Sequence, residues 1–242
     1  MNAFKHKIVI TGGSGRFGAA IKKNFKSKKI FFPKKIHLNI LSINSIKKYL
    51  IRLKPKILIH LAGLSRPMNI HEKQICKSID LNIIGTANIV KACSELNIKL
   101  VYLSTNYVYP CKKGNYSEKD PLLPTNNYAW SKLGGEASVQ MYKNSLILRA
   151  CMTEKPFVHK KAFANVKSNF IFHDDMAKML FRLINQKGII NVGGKTSTIY
   201  DFAKKNNNDI EKIFWSKKII NFPKNPSMNL NKFNKIISKK IR

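Results

Sequence analysis

Acid is what this chain most lacks. Only 12 Asp and Glu stand against 45 Lys and Arg in 242 residues, a formal charge of +33. The surplus is nearly all lysine, runs from Lys5 to Lys240 without forming one block, and travels with abundant Asn and Ile. A dedicated nucleic-acid binder concentrates its charge on one element and adds arginine or exposed aromatics, so no such partner is expected. Cysteine is sparse too: Cys76, Cys93, Cys111 and Cys151 lie far apart with no Cys-x-x-Cys pair. That spacing argues against a zinc knuckle or a redox motif and predicts reduced, mostly buried thiols. No His or Asp spacing matches a metal site, and none is expected. Long apolar runs are missing, none approaching the roughly 18 residues of a membrane span. Lys5 and Lys7 flank a short run that leads straight into glycines, which is not a signal-peptide core and predicts a cytoplasmic protein. Repeats and low-complexity linkers are absent as well. What remains, with 44% hydrophobic residues, is one sizeable core with a small appended lobe.

The apolar pattern alternates. Lys7–Thr11 (KIVIT) reads as a buried strand, and Arg16–Lys28 has helical spacing, with Phe17, Ile21 and Phe25 on one face. A short strand follows in KIFFP, then a helix from about Asn44 to Leu53, then the continuous run KILIHLAG, of the kind a parallel sheet covered on both faces requires. A long helix over about Glu72–Leu96, the strand KLVYLST, a helix over about Asn127–Tyr142 and the strand SLILR complete the series. Regular alternation of strand and helix predicts an α/β fold, a doubly wound parallel sheet of Rossmann type with its ligand at the carboxyl ends of the strands.

Two constellations carry chemistry. TGGSGRFG places Gly12, Gly15 and Gly18 at the junction of the first strand and first helix, where unpaired amides and the helix dipole suit a phosphate. The spacing is Gly-x-x-Gly-x-x-Gly, and alone it also fits a tight turn with no ligand. YAWSK sets Tyr128 and Lys132 four apart, on one face of a helix. A neighbouring ammonium favours tyrosinate, so the Tyr128 pKa is expected to fall below the usual ~10. The strand before it ends in Ser104 and Thr105, which puts a hydroxyl at the ligand edge of the sheet. His60 reads as the end of a core strand, and His173 as a helix start where Asp174 and Asp175 favour capping.

Taken together, these segments resemble the extended short-chain dehydrogenase/reductases. TGGSGRFG is similar to their cofactor turn, HLAG (His60–Gly63) to the motif beside the adenosine, and DLNIIGTANIVKAC to the helix bearing their active-site Asn, here Asn82. LSTNYVYP followed by NNYAWSKLGGE most resembles the dTDP-4-dehydrorhamnose reductase branch, as do NFIFHDDMAKML, GIINVGG, TIYDFAK and SMNLNKFNKI. The resemblance implies Thr105, Tyr128 and Lys132 as the catalytic set. It assigns Asn82 to helix geometry or a water of the proton relay, or simply to packing. It further implies a cofactor site of Gly12, Gly15, Arg16, Phe17, Gly18, Leu61, Ala62 and Gly63, shared with Tyr128 and Lys132.

The reaction so implied is reduction of a keto-sugar nucleotide, Tyr128 giving the proton as nicotinamide gives the hydride. Lys34 and Lys35 after strand two, where no acid stands, predict NADPH over NADH. Residues 1–149 form the expected dinucleotide-binding domain. Residues 150–242 form a reduced substrate lobe interleaved with the last sheet elements, Ala150–Phe172 being short for the branch. A homodimer through the helices of Asn82 and Tyr128 is also implied. An epimerase with bound NAD retains the same triad, and a non-catalytic dinucleotide-binding regulatory subunit shares the fold. A 4,6-dehydratase is disfavoured, since Asn106 and Tyr107 stand where its Asp-Glu pair belongs.

Overall fold

A computed structural model describes residues 5–216 and 223–239. Residues 1–4, 217–222 and 240–242, which the two expected regions include, lie outside the described residues. The first half runs β1 (Ile8–Thr11), α1 (Arg16–Asn24), β2 (Ile30–Phe31), α2 (Ile43–Leu53), β3 (Ile57–His60), α3 (Ile70–Lys73), α4 (Ile75–Ile79), α5 (Gly85–Glu95), β4 (Lys99–Thr105) and α6 (Asn127–Gln140). Next come β5 (Ser145–Thr153), β6 (Lys161–Phe163), β7 (Lys167–Ser168), β8 (Phe170–Phe172) and α7 (His173–Leu183). The chain then continues through β9 (Gly188–Val192), β10 (Ser197–Thr198), α8 (Ile199–Lys204), β11 (Glu211–Ile213) and α9 (Asn231–Ser238).

Both faces of the sheet are buried, which is why its strands read as unbroken apolar runs. In β1 the side chains alternate between two cores: Ile8 and Ile10 pack with Phe17 and Ile21 of α1 and with Met176 and Leu180 of α7. Val9 points the other way, to Ile46 and Leu50 of α2 and Ile89 of α5. The strands stand in the order β2-β1-β3-β4-β5-β8, with β9 also on β5, and each of these pairings is parallel. After β1 the chain goes to one side for β2 and to the other for β3, so a crevice opens at the carboxyl end of β1.

The structure departs from the sequence pattern in three places. Helix α1 stops at Asn24 because Phe25 leaves helical geometry and packs its ring 4.4 Å from that of Phe181; the lysines beyond it offer one another no favourable i,i+4 pair. The expected single helix over Glu72–Leu96 is broken at Gln74 (φ −130°) and then widens into a π turn over Asp80–Ile84 before α5, the kind of local bulge that re-aims a side chain. The strand expected to end at Arg149 runs on to Thr153, because β5 forks: Leu146–Ala150 pair with β9 and Cys151–Thr153 with β8. Beyond the fork a small lobe forms on two short sheets, β10 with β7 and β11 with β6. Its own core contains Phe157, Ala162, Val166, Ile199, Ala203 and Ile210.

Candidate active site

A cleft of 1620 Å³ lies where the lobe meets the carboxyl ends of β1, β3, β4 and β5. The glycine turn forms one wall, and each glycine has its own reason to be there. Gly12 has φ +72°, and a Cβ would stand 2.6 Å from the Ala62 backbone nitrogen. At Gly18 a Cβ would stand 2.6 Å from the Gly12 carbonyl oxygen, so this glycine lets α1 settle against the turn. Gly15 is different: a Cβ there would meet only that same oxygen, at 3.3 Å. Gly15 is also the N-cap of α1 and supplies no capping side chain. The first amides of α1 therefore face the cleft with room for an anion, a fit for a pyrophosphate.

Strand β4 delivers Thr105 to the cleft floor, where its hydroxyl accepts a hydrogen bond from the Tyr107 amide at 3.3 Å. Asn126 caps α6 by accepting from the Ala129 amide at 2.9 Å, and that cap fixes where Tyr128 and Lys132 begin their shared face. Tyr128 faces Thr105, whose hydroxyl opposes the rise in its pKa, and lies edge-on to His71, ring centroids 5.1 Å apart. The Lys132 ammonium sits 4.1 Å over the Tyr102 ring. The expected fall in the Tyr128 pKa is reversed: burial pushes the phenol up to about 12, and the neighbouring Thr105 hydroxyl recovers only part of that. Burial acts on Lys132 as well, drawing its ammonium down to about 7 against the opposing pull of Glu136.

Asn82 lies on the π turn, fully engaged. Its Oδ1 accepts from the Leu64 amide at 2.7 Å, while its Nδ2 donates to the Leu64 carbonyl at 2.9 Å and to the Ser131 hydroxyl at 2.8 Å. It thus staples the loop after β3 to α6. Gly63 and Gly135 make room for it, since a Cβ on either would approach Asn82 atoms within 2.7 and 2.4 Å. Beneath it, His60 joins Thr11 at 2.8 Å and Thr86 at 3.2 Å; burial lowers its pKa to about 3. Deeper still, Arg149 and Glu136 form a buried ion pair at 2.6 Å, and Arg149 donates to the Tyr109 hydroxyl at 2.7 Å.

Of the other expected residues, Arg16, Phe17, Leu61 and Gly63 line the cleft. Ala62 lies behind the glycine turn, its amide donating to the Thr11 hydroxyl at 3.3 Å. Lys34 and Lys35 are exposed and do not line the cleft, because the turn after β2 carries them to the outer surface. Asp174 and Asp175 stand in the first turn of α7 without capping it; Asp174 accepts instead from Asn24 at 2.7 Å. Sequence reasoning passed over Arg66 and Glu154 and read His173 only as a helix start, yet all three line the cleft. A signal for the first was available: only six of the 45 cations are arginines, and Arg16 and Arg66 are two of them. Among the described residues no group of three or more His, Cys, Asp or Glu is arranged to hold a metal ion, and no helix is long and apolar enough to cross a membrane.

Comparison with known proteins gives this geometry a lineage. Residues 6–166, well over half of the chain, match the family described as RmlD substrate binding domain. The chain belongs to that family. Among curated relatives, methionine adenosyltransferase 2 subunit beta of Pongo abelii is 27% identical over 148 residues, 57% of this chain and 44% of the relative. The RmlD-family chain thus spans less than half the length of the curated relatives it first matches. Among solved structures, a dTDP-4-dehydrorhamnose reductase from Bacillus anthracis, in complex with NADP, superposes with a TM-score of 0.83 at 21% identity, covering 95% of this chain and 92% of that one. The dTDP-4-dehydrorhamnose reductase from Yersinia enterocolitica gives 0.76 at 25% identity, covering 91% and 88%. The doubly wound α/β fold is theirs.

Proposed function

We propose that this RmlD-family chain is an NAD(P)-dependent oxidoreductase that reduces the ketone of a sugar nucleotide, with NADPH as its dinucleotide and NADH as second candidate. The observation that carries the reading is the convergence of Thr105, Tyr128 and Lys132 on a cleft whose other wall is the uncapped start of α1. Gly12, Gly15 and Gly18 would seat the pyrophosphate and Lys132 the nicotinamide ribose. The bound dinucleotide supplies the hydride. Thr105 and Tyr128 hold the carbonyl oxygen, and the Tyr128 hydroxyl, with its pKa near 12, carries its proton at neutral pH and gives it to that oxygen. Lys132, at about 7, exchanges a proton in the working range. The lobe built on β6 and α8 takes the sugar. Four free cysteines favour a reducing compartment, the cytoplasm. Exposed Ile79 and Ile84, around the π turn, and Trp130 on α6 support self-pairing through these segments.

The test is turnover of dTDP-4-keto-sugars with NADPH. Tyr128→Phe should lower kcat by roughly 100-fold or more while NADPH binding, followed by its fluorescence, stays within a factor of about two. Equal turnover in variant and wild type refutes the assignment. A second reading is favoured by the relatives named as a subunit of methionine adenosyltransferase: a dinucleotide-binding regulatory subunit without turnover. It predicts NADPH binding with no oxidation of NADPH against any keto-sugar nucleotide.

A further inference from the structure

Glu154 is one of only 12 acidic residues, and it stands at the end of β5, inside the cleft, between two arginines. Its Oε1 lies 3.2 Å from Arg16 Nε, and its Oε2 lies 3.4 Å from Arg66 Nη1. Arg16 opens α1 at the glycine turn, Arg66 comes from the loop after β3, and Glu154 from the margin of the lobe, so three walls meet at one carboxylate. Each guanidinium receives a single oxygen, where a planar fork is built for two. All three side chains keep contact with solvent, at 46%, 33% and 21% exposure, so exchange needs no unfolding. Lys160 and Lys161 line the same cleft, as does one further carboxylate, Glu72; His159 and His173 line it too, with burial holding their pKa values below the ordinary imidazole range.

We propose that Arg16 and Arg66 form a phosphate clamp, and that Glu154 is its built-in counter-anion, displaced when a diphosphate enters the cleft. The proposal rests on the sugar-nucleotide reading for its second ligand, since both a dinucleotide and a nucleoside diphosphate carry the required group. A diphosphate offers more charge and more acceptor oxygens than the carboxylate does, and can give each guanidinium two. Glu154 then sets a selection rule: a ligand with one carboxylate gains nothing by replacing another, whereas a diphosphate does.

Calorimetry on the full chain with NADP⁺ and with dTDP, each at low and at high salt, tests the clamp. Glu154→Gln removes the competitor and should tighten the responding ligand by about 3- to 10-fold at low ionic strength, the gain shrinking in salt. Arg66→Ala should weaken the same ligand by about 10-fold or more, and Arg66→Lys should recover part of that loss. Whichever ligand responds identifies whose phosphates the clamp holds. Unchanged or weaker binding of both ligands by Glu154→Gln, in a variant that melts like wild type, overturns the proposal and leaves the reductase reading standing. Wild type that binds NADP⁺ but not dTDP refutes the sugar-nucleotide reading, and the clamp is then judged on NADP⁺ alone. Wild type that binds neither refutes both.

Discussion

Tyr128 and Lys132 are moved by the same cause in opposite directions: burial disfavours both charges, so the phenol keeps its proton and the ammonium tends to lose one. A motif of two residues shows their spacing but not their depth, which is why the direction of the Tyr128 shift was not legible in YAWSK. The depression at Lys132 makes a statement about stability. Between about pH 7 and the usual lysine range near 10.5, the unfolded chain holds a proton that folded Lys132 has given up. The unfolded state therefore binds more protons, and stability rises with pH across that window. Lys99, drawn to about 8 by burial and Lys187, adds to the rise only in its upper part. Buried Cys93, Cys111 and Cys151, pushed up to about 12, oppose it only near and above the ordinary thiol range. Urea denaturation from about pH 7 to about pH 8.5 should thus show stability rising in wild type and a flatter line in Lys132→Met. Parallel lines would mean that Lys132 titrates normally in the folded protein.

At the scale of elements, the strands were legible because both faces of the sheet are buried, and the glycine turn because three glycines in fixed spacing have little use inside regular structure. What escaped is what has no period. The π turn at Asp80–Ile84 inserts a residue into an otherwise helical pattern, and only the folded loop after β3 shows why Asn82 must turn inward. Arg66 and Glu154 are 88 residues apart in sequence, and no local pattern joins them. The start of α1 is the element on which the cofactor reading depends. Gly15 has φ −75°, open to any residue, and a Cβ there needs only a few tenths of an ångström from the Gly12 carbonyl. Gly15→Val should therefore leave the far-ultraviolet spectrum and melting temperature close to wild type while abolishing NADPH binding, because the branched side chain projects into the anion seat. Retained affinity in a folded variant would make this turn a purely structural one.

For the whole molecule the question is what +33 charges do to the choice between two dinucleotides that differ by one phosphate. A diffuse positive field draws in NADPH more than NADH, but over distances that salt screens, with a Debye length of about 8 Å at 0.15 M. A direct contact persists in salt. The lysines expected to make it, Lys34 and Lys35, stand on the outer surface beyond β2 and outside the cleft wall, whereas Arg16 lines it. The two origins of a preference separate cleanly in the ratio of kcat/KM for NADPH to that for NADH, measured below and above ~0.15 M ionic strength. The expected result is a ratio above one that falls with salt to a plateau still above one. Lys34→Ala with Lys35→Ala should lower only the part that salt removes, while Arg16→Ala should lower kcat/KM for both dinucleotides, which share the diphosphate, and lower the plateau as well only if Arg16 also reaches the 2'-phosphate. A plateau that survives Arg16→Ala and collapses in the double lysine variant would return the phosphate to the β2 turn, and a ratio of one at high salt would leave the field of the whole molecule as the only source of choice.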